Sequence, residues 1–241
     1  IHIMTNFIII PCYNENENIN IILKKISECN IVNLIVVIVD DSEVSFEKKI
    51  NTQEFKVIYL NRNKKSGRGS AILFGLSHIL NLGMNISLIV EMDADMSHNP
   101  NELVNNINYF KKNNLDLLIS SRYLSNSKII NWPLKRKILS YLSNKLSKFL
   151  LKVPVSDYTN GYRIYSIKSS RFIVSNCGKI GDGYIMLSEI LTVLYYNNFK
   201  IDEIPTTFIN RVKGDSNVTI KEILLSLFGL YKIWKIKTLL N

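Results

Sequence analysis

Two aspartates one residue apart, Asp93 and Asp95 around Ala94, follow the apolar run from Leu88 to Met92. Carboxylates so spaced at a strand end can converge on one divalent cation. Hard oxygen donors suit Mg²⁺ or Mn²⁺, which keep positions open for phosphate oxygens. Such an ion offsets the charge that builds on a departing diphosphate. Two solvated loop acids are the plain alternative, and the place after an Ile- and Val-rich strand favours the metal reading. A second pair, Asp40-Asp41, closes another apolar run. A carboxylate there can accept hydrogen bonds from a base N–H or from ribose hydroxyls, with helix capping as the competing role. Gly67-Arg68-Gly69 precedes a helical pattern but lacks both the Walker sequence and the third glycine of a dinucleotide fingerprint, so close packing of a helix start is its plain reading. Arg122 follows a strand and Arg211 lies in a polar stretch, residues 210–216. Either guanidinium could fork onto phosphate, although each alone is more often a surface arginine. His2, His78 and His98 form no ligand or triad pattern, and no Gly-x-Ser-x-Gly elbow points to nucleophilic hydrolysis.

These residues need a scaffold. Apolar runs predict strands over residues 7–11, 34–39, 57–60, 88–92 and 115–121. Between them, Ile19, Ile22, Leu23 and Ile26 recur at the helical period, and helices are expected over 18–29, 69–82 and 100–112, the last with Pro100 in its first turn. Strands alternating with helices predict an α/β fold with a mostly parallel sheet, whose ligands bind at the carboxyl ends of strands. The polar clusters fall at those ends.

The 241 residues, 46 % hydrophobic and 21 % charged, suit a folded globular chain, read here as one domain. It is read in two halves, residues 1–125 with the strand-end acids and residues 126–241 with the mixed basic and apolar stretches. The formal charge of +10 calls for an anionic partner or is simply a basic surface. A basic nucleic-acid-binding module is a rival that has no use for strand-end carboxylates. Cys12, Cys29 and Cys177 show neither metal spacing nor disulfide density, so a reducing compartment is expected. No signal peptide is visible, and no run of about 18–20 apolar residues would span a membrane.

Nine motifs in order carry a family resemblance. They are Pro11-Cys12-Tyr13-Asn14-Glu15 with Asn18; Asp40-Asp41-Ser42; Lys64 to Ala71; Asp93 to Pro100; Ser121-Arg122-Tyr123; Trp132 to Lys137; Asp157 to Arg163; Glu203-Ile204-Pro205; and Arg211 to Ser216. Together they resemble the family 2 glycosyltransferases of GT-A fold, in the group that mannosylates dolichyl and other polyprenyl phosphates. The resemblance implies inverting transfer of mannose from GDP-mannose to dolichyl phosphate, with a UDP-glucose-dependent dolichyl-phosphate glucosyltransferase as the alternative. Pro11, Tyr13, Glu15 and Asp40 or Asp41 would hold guanosine. Asp93, Ala94 and Asp95 would meet the sugar diphosphate, with Mg²⁺ or Mn²⁺ on Asp93, Asp95 and Ser97. Arg122 and Arg211 would grip phosphates, so Asp93, Asp95, Arg122 and Arg211 form the implied catalytic set. Lys135, Arg136, Arg163, Glu189 and Ser216 would lie on the acceptor side. The implied place is the cytoplasmic face of the endoplasmic reticulum, or of the plasma membrane in a prokaryote, as a peripheral enzyme with small anchoring subunits as possible partners and no nucleic acid. Three departures stand out: Glu43 where a further Asp is usual, Asn217 where Lys is common, and Arg68 where Leu is usual.

A lipid acceptor requires a membrane-facing surface. Over residues 135–153, Ile138, Leu142, Leu146, Phe149 and Leu150 recur every three to four positions among six Lys and Arg. Over 219–240, Ile220, Ile223, Leu224, Leu227, Phe228, Tyr231 and Trp234 do the same, with Lys232, Lys235 and Lys237 near the end. Both segments are expected to be amphipathic helices lying on a bilayer, with ordinary core helices as the alternative.

Overall fold

A computed structural model describes residues 4–52, 54–210 and 220–240, the last segment with side chains for 225–238. Arg211, Lys213, Ser216 and Asn217 lie outside the described residues. The first half follows the expected order: β1 (Thr5–Cys12), α1 (Ile19–Ser27), β2 (Leu34–Asp40), β3 (Lys56–Asn61), α2 (Arg68–Leu80), β4 (Ile86–Glu91), α3 (Leu103–Lys112) and β5 (Leu117–Ser121). Then come β6 (Lys128–Ile130), α4 (Leu134–Leu151), β7 (Arg163–Tyr165), α5 (Ile167–Asn176), α6 (Ile185–Tyr196), β8 (Ile201–Pro205), β9 (Thr207–Ile209) and α7 (Ile220–Leu240).

Seven strands form one sheet in the order β3-β2-β1-β4-β7-β5-β8, parallel except for β7. β1 and β2 are apolar at almost every position because helices cover both faces of the sheet. Alternate residues serve two cores. Phe7, Ile9, Val37 and Val39 meet α2, α5 and α6, while Ile8, Ile10, Val36 and Ile38 meet α1 and α3. A small parallel pair, β6 with β9, stands apart and carries Phe208 toward the strand ends.

The two basic–apolar helices form as expected, and most of the apolar side chains described on them face outward; the side chains of Ile220, Ile223 and Leu224 lie outside the described residues. α4 buries Asn144, Ser147 and Leu151. Ile138, Leu139, Leu142 and Leu146 are exposed, and Phe149 is 76 % exposed. For a helix wholly in water this polarity is inverted. Asn144 holds the buried side: its Oδ1 accepts from the Tyr158 N–H at 2.6 Å, and its Nδ2 donates to the Ser140 carbonyl at 2.8 Å. α7 seats Leu230 and Ile233 in the core and exposes Leu225, Leu227, Phe228, Tyr231 and Trp234. Lys237, expected on the charged surface, is instead buried and donates to the Leu150 carbonyl at 3.0 Å. Among the described residues no helix is long and apolar enough to cross a membrane.

Candidate active site

The carboxyl ends of β1, β2 and β4 converge. At the end of β2, Asp40 is fully buried. Its Oδ1 accepts from Ser42 N at 2.9 Å and Ser42 Oγ at 2.5 Å; its Oδ2 accepts from the Tyr59 hydroxyl and from Asn61 Nδ2. Asp41 receives a two-pronged hydrogen bond from Arg62, at 2.6 and 2.8 Å, and another from Ser66 N at 2.8 Å. Both carboxylates thus tie the glycine loop and β3 to β2. That is a shaping role in this structure. Nearby, Tyr13 is 40 % exposed with Lys65 Nζ 4.5 Å from its ring centre. Pro11 is half-buried at the end of β1, and Glu15 accepts from Asn18 Nδ2 at 2.7 Å.

Gly67 and Gly69 bear out the packing role. Gly69 N donates to the Asp182 carbonyl at 2.7 Å, and a Cβ on Gly69 would lie 2.8 Å from the Gly183 oxygen. Gly67 has φ +96°, a region L side chains avoid. Arg68 between them reaches into the acidic motif. Its Nη1 meets Glu91 Oε1 at 2.5 Å, and its Nε and Nη2 meet Asp93 Oδ1 at 2.8 and 2.7 Å. Asp95 Oδ1 accepts from Ser97 N at 3.0 Å, a short turn made possible by Met96 in the left-handed region (φ 62°). Ala94 and Ser97 are buried.

His98, which forms no ligand or triad pattern in the sequence, fixes the backbone of this motif. Its Nδ1 accepts from Asp93 N at 2.9 Å, so Nε2 bears the proton and donates to Asn160 Oδ1 at 3.0 Å. The ring stacks on Tyr162 at 5.1 Å. The signal in the sequence is a histidine five residues after Asp93, read there without its partner at position 160.

Arg122 and Arg163 are engaged inside the protein. Arg122 is buried, and its Nε and Nη2 engage Asp157 at 2.7 and 2.8 Å. Burial works against the Asp157 charge, but Arg122 outweighs it and holds the carboxyl below its usual range. In this structure the fork expected to grip a phosphate is taken up by Asp157. Arg163, expected beside the acceptor, is fully buried and donates to the carbonyls of Asn160, Leu187 and Tyr158 at 2.8–3.0 Å. Arg136 is half-buried, 4.2 Å from the Trp132 ring centre and bonded to Asn210 Oδ1 at 2.9 Å. Lys135 is exposed on the first turn of α4. Glu189 is buried in α6, where burial pushes its carboxyl up although the Lys179 N–H supports it.

Among the described residues no cluster of three His, Cys, Asp or Glu forms a ready-made metal cage. Asp93 and Asp95 still fit a hard cation that completes its shell with diphosphate oxygens and water. The arrangement suits binding a sugar diphosphate beside an apolar, outward-facing helix.

Comparison with known proteins agrees. The model of "Glycosyl transferase family 2" matches residues 7–173. The chain is 32 % identical to a polyprenol monophosphomannose synthase of Mycolicibacterium smegmatis over 95 % of this chain and 86 % of that protein. It is 29 % identical to an undecaprenyl-phosphate mannosyltransferase of Micrococcus luteus over 88 % of this chain and 86 % of that protein. In fold it is similar to glucosyl-3-phosphoglycerate synthase of Mycobacterium tuberculosis, solved with Mn²⁺, UDP-glucose and phosphoglyceric acid. There the TM-score is 0.67 at 15 % identity, over 96 % of this chain and 80 % of that one. With the mixed sheet, the strand-end acids and these matches in hand, the chain belongs to glycosyl transferase family 2.

Proposed function

We propose that the chain transfers mannose from GDP-mannose to a polyprenyl phosphate at a membrane surface, dolichyl phosphate being the acceptor implied by the sequence resemblance. The observation that carries this reading is the outward apolar face of α4, a helix tied to the end of β5 through Tyr123–Ser140 (2.6 Å) and, through Asn144–Thr159 (3.3 Å), to the segment whose Asn160 holds His98. The names of the two bacterial mannosyltransferases support the same class of reaction. α4 and α7 also border an apolar groove of about 240 Å³ lined by Leu146, Leu150, Leu227, Leu230, Tyr231 and Trp234, a surface suited to acyl or isoprenoid chains.

A lipid phosphate is ionised at neutral pH, so its oxygen attacks the anomeric carbon without a general base. The bond to the β-phosphate of GDP breaks as the new C–O bond forms, and the anomeric centre inverts. Asp93 and Asp95 would hold Mg²⁺ or Mn²⁺, which supplies countercharge for the leaving diphosphate. His98 fixes the Asp93 backbone and Ser97 N holds the Asp95 carboxylate, so alignment costs little at the moment of reaction. Arg211 is proposed to meet the phosphates, and Arg136 with Lys135 to draw the lipid headgroup. α4 and α7 rest on the bilayer, where each basic residue near anionic lipid adds up to about 1 kcal/mol.

The test is a donor screen with radiolabelled GDP-mannose, UDP-glucose and UDP-N-acetylglucosamine against dolichyl and undecaprenyl phosphate, counting lipid-extractable label. Label from GDP-mannose alone is expected. Transfer from UDP-glucose instead, or no lipid-linked label, would overturn the reading.

A further inference from the structure

Arg68 is a cation built into the proposed metal site. Two of its nitrogens share Asp93 Oδ1, at 2.8 and 2.7 Å, and the third takes Glu91 Oε1 at 2.5 Å. Glu91 is fully buried, and its other oxygen accepts from the Tyr165 hydroxyl at 2.6 Å. The guanidinium packs beside the Tyr184 ring, 5.5 Å from its centre. Its berth is shaped for it: a Cβ at Gly161 would fall on Nη2. A guanidinium so held competes with a divalent ion for the same carboxylate oxygen and repels it as well.

We infer that Arg68 is a positioning residue that withholds Asp93 from metal in the donor-free protein, so that Mg²⁺ or Mn²⁺ binds firmly only when a diphosphate brings further oxygens. The inference rests on the reading of Asp93 and Asp95 as metal donors. It deepens that reading by assigning an order: the ion enters with the nucleotide, not before it. Substituting Arg68 alone would strand the buried Glu91 charge, so the pair is changed together.

The experiment is calorimetric titration of Mn²⁺, without nucleotide, into wild type, Arg68→Leu/Glu91→Gln and the milder Arg68→Gln/Glu91→Gln, each checked for folding by circular dichroism. Releasing one carboxylate to the ion is expected to tighten Mn²⁺ binding by roughly tenfold or more in the paired variants, since affinity at oxygen sites follows the count of charged donors. Unchanged or weaker binding in a folded paired variant overturns the inference. Adding Asp95→Ala to the paired variant tells the two readings apart. It is expected to remove the Mn²⁺ heat. If Mn²⁺ still binds there, the ion sits elsewhere and the metal-site reading itself is wrong.

Discussion

Replacing Arg122 with Met separates a strut from a phosphate clamp. Asp157 is fully buried and Arg122 nearly so, with contacts of 2.7 and 2.8 Å between them. Arg122→Met leaves the carboxylate with the backbone N–H groups of residues 122, 159 and 160 but no cation. Breaking a buried pair from one side typically costs about 3–5 kcal/mol. The three remaining N–H donors put the expected loss near the lower end, about 3 kcal/mol, a large share of a typical domain's stability. The pH dependence carries a second signature. In wild type the Asp157 carboxyl is depressed on folding, so its contribution is present above the ordinary carboxylate pKa of about 3.9 and is lost as pH falls through the lower folded value. In the variant, burial without Arg122 raises the folded pKa. The penalty of the buried charge then eases as pH falls toward that raised value, and the variant's deficit against wild type narrows. Urea unfolding at pH 7 and pH 5 reads both effects through the midpoint at constant slope. A loss under about 1 kcal/mol, combined with a kcat/KM fall of about a hundredfold or more, would refute the strut and restore the clamp.

Other outcomes follow from the same geometry. Asp95→Ala is expected to abolish transfer while leaving the unfolding midpoint near wild type; full turnover in that variant, or in excess EDTA, contradicts the metal reading. Leu142→Glu with Phe149→Glu is expected to weaken flotation with anionic vesicles with little change in thermal midpoint, because both positions are already exposed. Equal flotation would remove α4 from the bilayer. Gly69→Ala places a Cβ 2.8 Å from the Gly183 oxygen and is expected to cost about 1–3 kcal/mol, measured by urea unfolding. A neutral result would mean that the loop at 181–183 gives way freely.

Much of this was legible because buried parallel strands read as unbroken apolar runs. β2, Leu-Ile-Val-Val-Ile-Val-Asp, could hardly be anything else. The Asp93–Asp95 motif was legible as a strand-end acidic pair from its place after such a run. β7 was not: three residues beginning with an arginine carry no strand period, and Arg163 is tolerated inside only because three carbonyls surround it. Side-chain partners were equally hidden. Arg68 meets Glu91 and Asp93 across 23 and 25 positions, Arg122 meets Asp157 across 35, and His98 meets Asn160 across 62. No local pattern encodes such pairs, so arginines that look available in the sequence are already engaged in the fold. The outward polarity of α4 was legible as a mixture of basic and apolar residues, but the buried Asn144 that fixes its rotation was not.

β7 also sets the order in which this chain can be completed. β4 and β5 do not pair with each other; each pairs with β7, through Ile89, Val90 and Glu91 on one side and Leu117, Leu118 and Ile119 on the other. β7 follows both in the chain. Until residue 165 is available, β4 and β5 each present an unpaired edge, of the kind that invites wrong partners. The same late segment brings Tyr165 to Glu91, Asn160 to His98 and Asp157 to Arg122. The residues that join β4 to β5 and those that brace the acidic motif therefore come from one segment, 157–165. A chain arrested before residue 157 has Asp93, Asp95 and His98 and yet lacks the Asn160 that holds His98 and the Tyr165 that holds Glu91.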